Sequence, residues 1–512
     1  MIDARLLRTR KNIIVSLGYQ LVTIFCGLIV PRVMLKSFGS EIYGATTSIA
    51  QFLSYIALLE GGVGGVARSV LYKPLADKDN GTLSHIMAET KSFFRVVGFV
   101  FTGYVLVVAC VFKQISGLIC LDWITSFLLV FAISLSTFGQ YFIGISNAIL
   151  IQAAQRSYVT NFINIFATIV NAISVCILVR AECSIVTVKL VSSLIFLLRP
   201  IVFWLYVRRR FQMRSVYKSN VVYLTQKWSG LGQHIAFYLH SNTDIVILTC
   251  FTSLYNVAVY AVYNMIVSHV QNLVSSFASG MEALFGDMLA REEQETLHKS
   301  FNNYEMILSL VSVIFFATTL SMVLPFVKLY TAEITDVNYH MPLLALFLTV
   351  SSLLYCLRLP YHSLVIAAGH FRQTQLAAYA EALVNILLSI IFVFFYGVAG
   401  VAFATMFATA LRFGYYVLYL SKHILFRKPT LFVRSFIVNC LAFTLSITVG
   451  LTISNTIDIN NYMRWALYAG LNFLVITTIT VIINIVFYHK ELLDMIKNTR
   501  INKGLTLHTT QK

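Results

Sequence analysis

Fourteen stretches of this chain are apolar over roughly twenty or more residues. They are 12–36, 42–71, 93–112, 123–150, 159–180, 185–207, 229–252, 255–284, 303–327, 341–367, 373–396, 398–420, 433–453 and 465–488. About 20 apolar residues suffice to cross the hydrocarbon core of a bilayer as a helix. In lipid each backbone amide must be satisfied within its own segment, so such a chain folds as helices. The fold class expected is all-α: a polytopic membrane protein with about 14 transmembrane helices. Only 12% of the 512 residues are charged and 58% are hydrophobic, against about 25% charged in soluble domains. Arg5, Arg8, Arg10 and Lys11 lead straight into the first segment. With no small-residue cleavage site, that segment reads as an uncleaved span rather than a signal peptide.

The basic residues alternate between the two sides. With the N-terminus inside, the inner loops and helix ends hold 28 of the 38 Lys and Arg. The outer side holds six: Arg32, Lys36, Lys113, Arg180, Lys328 and Arg464. The positive-inside rule therefore puts both termini in the cytoplasm and requires an even number of spans. The net charge of +17 comes from these loops and forms no groove-binding motif, so no nucleic acid is expected as partner. The eight cysteines are scattered, with no CxxC or Cys/His spacing. They imply neither a zinc site nor a disulfide framework, and no metal or cofactor is expected. Every outer loop is short, so no extracytoplasmic domain is present to host catalysis, and no catalytic residues are assigned.

Ala153–Ile173 and Ala367–Leu387 match at an offset of 214, pairing Ala153 with Ala367 and Asn171 with Asn385. An offset of 213 sets Phe38-Gly39-Ser40 beside Phe251-Thr252-Ser253, and Arg199 beside Arg412. The expected organisation is two six-helix bundles as parallel pseudo-repeats: an N-terminal lobe, 1–207, and a C-terminal lobe, 229–420. A basic cytoplasmic linker, 208–228, joins them. Two additional helices occupy 421–489, and a cytoplasmic tail, 490–512, is expected to begin as a short surface helix and then become disordered. Transporters built from such repeats bind substrate between the halves.

Ionisable residues inside spans are costly and mark function or pairing. Glu60 sits in span two ahead of Gly61, Gly62, Gly64 and Gly65, and the Gly61/Gly65 pair reads as a place where a neighbouring helix approaches closely. Counted from the inner helix ends, Glu60, Arg199, Arg358, Glu381 and Arg412 all fall roughly 12–17 Å above the cytoplasmic boundary, at a rise of about 1.5 Å per residue. Three arginines against two carboxylates form a net positive belt suited to an anionic head group, because the guanidinium fork binds phosphate at two points. The alternative is a structural ion pair between Arg358 and Glu381 on consecutive spans. Pro200 and Pro360, beside Arg199 and Arg358, are expected kinks. His240 and Asp244 share a helix face and are either a coupling-ion site or a hydrogen-bonded pair.

These residues carry a family likeness. Arg10-Lys11-Asn12-Ile13, Phe38-Gly39-Ser40-Glu41-Ile42-Tyr43-Gly44, Leu59-Glu60-Gly61-Gly62-Val63-Gly64 and Leu71-Tyr72-Lys73-Pro74-Leu75-Ala76 resemble the first spans of the polysaccharide (O-antigen and capsule) flippases. That family belongs to the multidrug/oligosaccharidyl-lipid/polysaccharide exporter superfamily. Asn242-Thr243-Asp244-Ile245-Val246-Ile247-Leu248 and Val259-Tyr260 resemble its second half. The likeness is sharpest up to Leu75, and Gly62 departs from it where the family more often has an apolar residue. It implies two six-helix lobes around a cavity in a bacterial plasma (inner) membrane, and no enzymatic activity. It also implies a cargo of polyprenyl-diphosphate-linked oligosaccharide for surface polysaccharide biosynthesis. Membrane lipid, a polysaccharide polymerase and glycosyltransferases are the candidate partners. A multidrug or other lipid-precursor exporter of the same superfamily is the alternative.

Overall fold

The computed structural model describes residues 2–60, 62–211, 231–278, 281–428, 430–455 and 459–509. Gly61, most of the expected linker (212–228) and the end of the tail (510–512) lie outside the described residues. Among the described residues the chain is helical without strands. The helices are α1 (Ile2–Ser54), α2 (Val63–Asp77), α3 (Asn80–Ser116), α4 (Trp123–Gly139), α5 (Ile145–Ala153), α6 (Ser157–Arg180), α7 (Ile185–Arg210), α8 (Leu231–Phe251), α9 (Leu254–Ala278) and α10 (Met281–Ala290). They continue with α11 (Gln294–Tyr330), α12 (Pro342–Ala367), α13 (Phe371–His423), α14 (Thr430–Asn455) and α15 (Tyr462–Thr509). A 3₁₀ turn, Tyr55–Glu60, follows α1, and a π-turn, Gln140–Gly144, joins α4 to α5.

Eleven of these helical stretches are long and apolar enough to cross a membrane. Two are double. Gly39 (φ 79, ψ 171) breaks α1 and Gly397 (φ 55, ψ −129) breaks α13, at backbone angles open to glycine and strained for other residues. Counting both sides of each break gives thirteen among the described residues; the 21-residue α8, which carries His234, His240, Asn242 and Asp244, is not in that apolar set. The surface is inverted relative to a soluble protein: Ile14, Phe25, Phe166, Phe395 and Val486 are more than 60% exposed, while Asn385, Asn472 and Thr480 are fully buried. That is the distribution lipid imposes, because hydrocarbon solvates Phe and Ile while unpaired amides and hydroxyls are costly there.

Three expectations change. Span two is not one helix to residue 71: α1 ends at Ser54, and α2 starts afresh after Gly62, whose φ of 80 is left-handed. Gly65 marks no close approach, since a Cβ there would meet nothing within 4 Å. Gly44 does, because its Cβ would lie 2.0 Å from the Leu254 carbonyl oxygen at the start of α9. The tail does not stop as a short helix: beyond a non-helical Tyr488 (φ −124, ψ 30), α15 continues to Thr509.

The internal repeat is visible in the elements themselves. Helices α3 and α11 are both 37 residues long and start at Asn80 and Gln294, at the same offset as the sequence match. The left-handed residues preceding them, Lys78 and Glu292, keep that interval, each with φ 57. Gln155 and Gly369, φ 57 and 70, keep it too, as do the starts of α6 and α13 at Ser157 and Phe371. The halves differ where α4, the π-turn and α5 occupy the place of an unbroken α12. The π-turn packs on α7, where a Cβ at Gly139 would lie 2.1 Å from Leu197 Cδ1 and one at Gly144 2.9 Å from Pro200 Cβ.

By packing, the chain forms two compact units. Unit 1 comprises Met1–Val262, Glu333–Asn338 and Ile390–Val401; unit 2 comprises Tyr263–Ala332, Tyr339–Ser389 and Ala402–Lys512. In unit 1, α1 packs on α6 and α8, α4 on α7, and α2 on α5. In unit 2, α11 is the hub, contacting α10, α12, α14 and α15. Its Leu297, Phe301, Val313, Phe316 and Ala317 are fully buried.

Candidate functional site

Two buried arginines of unit 2 converge on one carboxylate. Glu381, on the first half of α13, accepts from Arg358 Nη1 on α12 at 2.6 Å through Oε1, and from Arg412 Nη1 on the second half of α13 through Oε2. Gly397 makes the second contact possible. It stands almost midway between Glu381 and Arg412 in the sequence. Because a helix rises by a constant amount per residue, both side chains lie at nearly the same distance from the break. The side chains are 5%, 0% and 4% exposed in the order Arg358, Glu381, Arg412. Aromatic rings enclose the arginines: Tyr355 lies 5.1 Å from the Arg358 guanidinium and Tyr416 5.2 Å from that of Arg412. Arg412 Nη2 also donates to Tyr416 Oη at 3.0 Å, and His362 Nδ1 lies 3.3 Å from that oxygen. Arg412 Nε is buried without a hydrogen-bond partner. Two guanidinium groups share one carboxylate, which leaves one unit of positive charge in a low-dielectric site. Another tetrahedral or planar oxyanion could compete for the same donors.

In unit 1, Glu60 ends the 3₁₀ turn and accepts from Tyr141 Oη at 2.6 Å. The π-turn that packs on Pro200 is what presents Tyr141 there. Among the described residues no arginine forms an ion pair with Glu60, and the Tyr141 phenol is its hydrogen-bond partner. Arg199, on α7, donates to Asn164 Oδ1 at 3.4 Å, stacks 3.9 Å from the Phe196 ring centroid, and has Nε buried without a partner. Asp244, on α8, accepts from Tyr260 Oη at 2.7 Å, and His240 is buried one turn before it.

Sequence reasoning misses a polar ladder that runs from the second half of α1 and the 3₁₀ turn after it to α8. Ser48 and Thr249 share a 2.6 Å hydrogen bond, Gln51 donates to Asn242 Oδ1 at 2.9 Å, and Tyr55 donates to Thr243 Oγ1 at 3.1 Å. Tyr238 donates to Ser54 Oγ at 2.5 Å, and His234 Nε2 lies 3.1 Å from the Ala57 carbonyl oxygen. The signal lies in the spacing: Ser48 and Gln51, Gln51 and Ser54, and Gln51 and Tyr55 are three, three and four residues apart, which puts them on one helix face. At the Gly39 break, Asp336 accepts from Ser40 N–H and Ser40 Oγ, both at 2.6 Å. Glu333 pairs with Lys36 and, at 3.6 Å, with Arg32. The Lys36 hydrogen bond and charge hold the Glu333 carboxyl below its ordinary value. Among the described residues no group of three or more His, Cys, Asp or Glu could hold a metal ion.

No family model matches the chain, and no curated protein matches it. Solved structures match its fold. A lipid II flippase MurJ in an inward closed conformation superimposes with a TM-score of 0.68 over 94% of this chain and 99% of that one, at 13% identity. An inward-facing multidrug resistance MATE family transporter of the MOP superfamily gives 0.59 over 79% and 96%, also at 13%. A MATE multidrug transporter, DinF-BH, gives 0.55 over 82% and 97%, at 16%. The chain is thus similar in fold, at low identity, to both a lipid flippase and multidrug transporters.

Proposed function

We propose that the chain is a flippase that moves polyprenyl-diphosphate-linked oligosaccharide repeat units across the bacterial plasma membrane for surface polysaccharide biosynthesis. In this reading transport is by alternating access, with lobes 1–207 and 229–420, linker 208–228 and both termini in the cytoplasm. The observation that carries it is the pair of buried arginines on Glu381. Their forks match the oxygen geometry of a diphosphate, and Glu381 serves as the internal anion that holds them in place when cargo is absent. Arg199, with an unpartnered Nε, is the corresponding donor in unit 1, and Glu60 is a polar wall residue held by Tyr141. Asp244 and His240 are candidates for the coupling ion. The likeness in fold to a lipid flippase along nearly the whole chain supports the transport class.

Loss of the protein is expected to leave a lipid-linked oligosaccharide on the cytoplasmic face of the membrane. Reversing the charge at Arg358 or Arg412 is expected to abolish export. Because each also braces Glu381, R358K and R412K are the sharper variants. They keep the charge but lose the fork, and should impair export at normal protein level. Export by all four variants at the wild-type rate would refute the role of the cluster. The fold is equally compatible with a multidrug exporter. A change in drug susceptibility with no lipid-linked oligosaccharide accumulation on deletion would favour that second reading.

A further inference from the structure

Outside this cluster, unit 2 holds a second polar cavity. It lies between α11, α14 and α15 and has a volume of about 270 Å³, just below the range of small-molecule sites, about 300–1,000 Å³. Lys299, Arg427 and Arg434 line it, and Glu305 is the only acidic residue among its described lining. That carboxylate is already taken: Arg427 Nη2 donates to it at 3.0 Å and Tyr361 Oη donates to its other oxygen. Three further contacts fix Arg427. Nη1 donates to Asn302 Oδ1 at 2.8 Å, Nη2 lies 3.1 Å from Tyr361 Oη, and the Phe301 ring is 4.9 Å from the guanidinium. Its side chain is 8% exposed and its Nε is buried without a partner. A preset, largely desolvated arginine on a cavity wall is the core of an oxyanion site.

With Glu305 neutralised by Arg427, Lys299 and Arg434 leave the described lining net positive. The first turns of α14 add to this, since Leu431, Arg434 and Ser435 line the cavity at the end of that helix where backbone N–H groups carry partial positive charge. The exposed flanks say which kind of anion fits. Leu431 and Val433 on α14, and Ile485, Val486 and Phe487 on α15, are 42–69% exposed apolar side chains directly beside the lining residues. A ligand here would have a phosphate in the cavity and hydrocarbon along the helices. The cavity also sits where α15 changes course at Tyr488, between the last span and the tail.

We propose that this cavity binds the phosphate group of an anionic phospholipid, in the leaflet at the basic-loop end of unit 2, and thereby anchors α14 and α15 to α11. The site does not depend on what is transported. The test is thermal unfolding of the full-length protein in detergent with added phosphatidylglycerol, phosphatidylcholine or inorganic phosphate. Phosphatidylglycerol is expected to raise the midpoint and phosphatidylcholine is not. In K299E/R434E the concentration needed should rise by at least about tenfold, as for the loss of one or two charge-assisted contacts. Arg434 also donates to the Phe487 carbonyl oxygen, so K299E alone provides a second variant that leaves that contact intact. Lys299 is exposed, and the untreated midpoint of K299E should equal the wild type while its response to phosphatidylglycerol weakens. A full shift with inorganic phosphate, weakened in both variants, would support the phosphate site and assign it to a soluble anion. The proposal is overturned if neither anion shifts the wild type, or if both variants respond as the wild type does.

Discussion

Glu381 is the residue on which most of unit 2's buried charge depends. With two arginines 4–5% exposed against it, its removal strands cations in a low-dielectric interior. Breaking a buried ion pair from one side costs about 3–5 kcal/mol. E381Q is therefore expected to lower the unfolding free energy in detergent by that order, whereas E381D, which keeps the charge, should lose less. A different carboxylate tests the Gly39 end. Glu333 is depressed by its hydrogen bond to Lys36, then by the Lys36 and Arg32 charges. A depressed folded value means the contact favours the folded state above the ordinary carboxylate range and is lost as pH falls through the lowered value. Protection of residues 333–338, taken as hydrogen exchange relative to the intrinsic rate at each pH, should accordingly hold at neutral pH and be lost only below the ordinary carboxylate range. Loss of that protection between pH 6 and 8 would contradict the pairing.

At the scale of elements, glycines set where helices break and where they touch. Gly39 and Gly397 turn α1 and α13 back at left-handed angles, and Gly44 lets α9 approach to within contact of the α1 backbone. The glycines after Glu60 do something else: Gly62 restarts the helix, and Gly65 faces open space. A pair of variants separates these roles. G44A must push the Leu254 backbone aside and is expected to cost about 1–3 kcal/mol. G65A, in a helix with nothing near its Cβ, should be neutral or stabilising by up to about 1 kcal/mol. Equal effects in a denaturant or thermal series would show that the close approach at Gly44 is not what that glycine is for.

At the scale of the whole molecule, the proposed orientation is open to a direct test. Single cysteines in place of Glu182 and Glu292, on a background lacking the native thiols, should be labelled by an impermeant reagent from opposite sides of the membrane. Glu182 should be reached from outside and Glu292 from inside. What the sequence determined by itself was the helical, membrane-spanning class, its pseudo-repeat at a constant offset, and three of the buried charges, Arg358, Glu381 and Arg412. Apolar length, loop charge and repeated spacing are properties of the chain read along one dimension, and lipid admits only helices for such segments. The tertiary structure decided the pairings. Glu381 meets both Arg358 and Arg412 because Gly397 folds α13 back on itself. Glu60 meets Tyr141, rather than an arginine, because the π-turn before α5 aims that phenol at it. The Arg427–Glu305–Tyr361 contact joins residues 56 to 122 positions apart. Equal depth, which is all that counting residues can supply, fixes distance along the helix axis. It leaves open the rotation of each helix about that axis, and that rotation is set only by packing against neighbours.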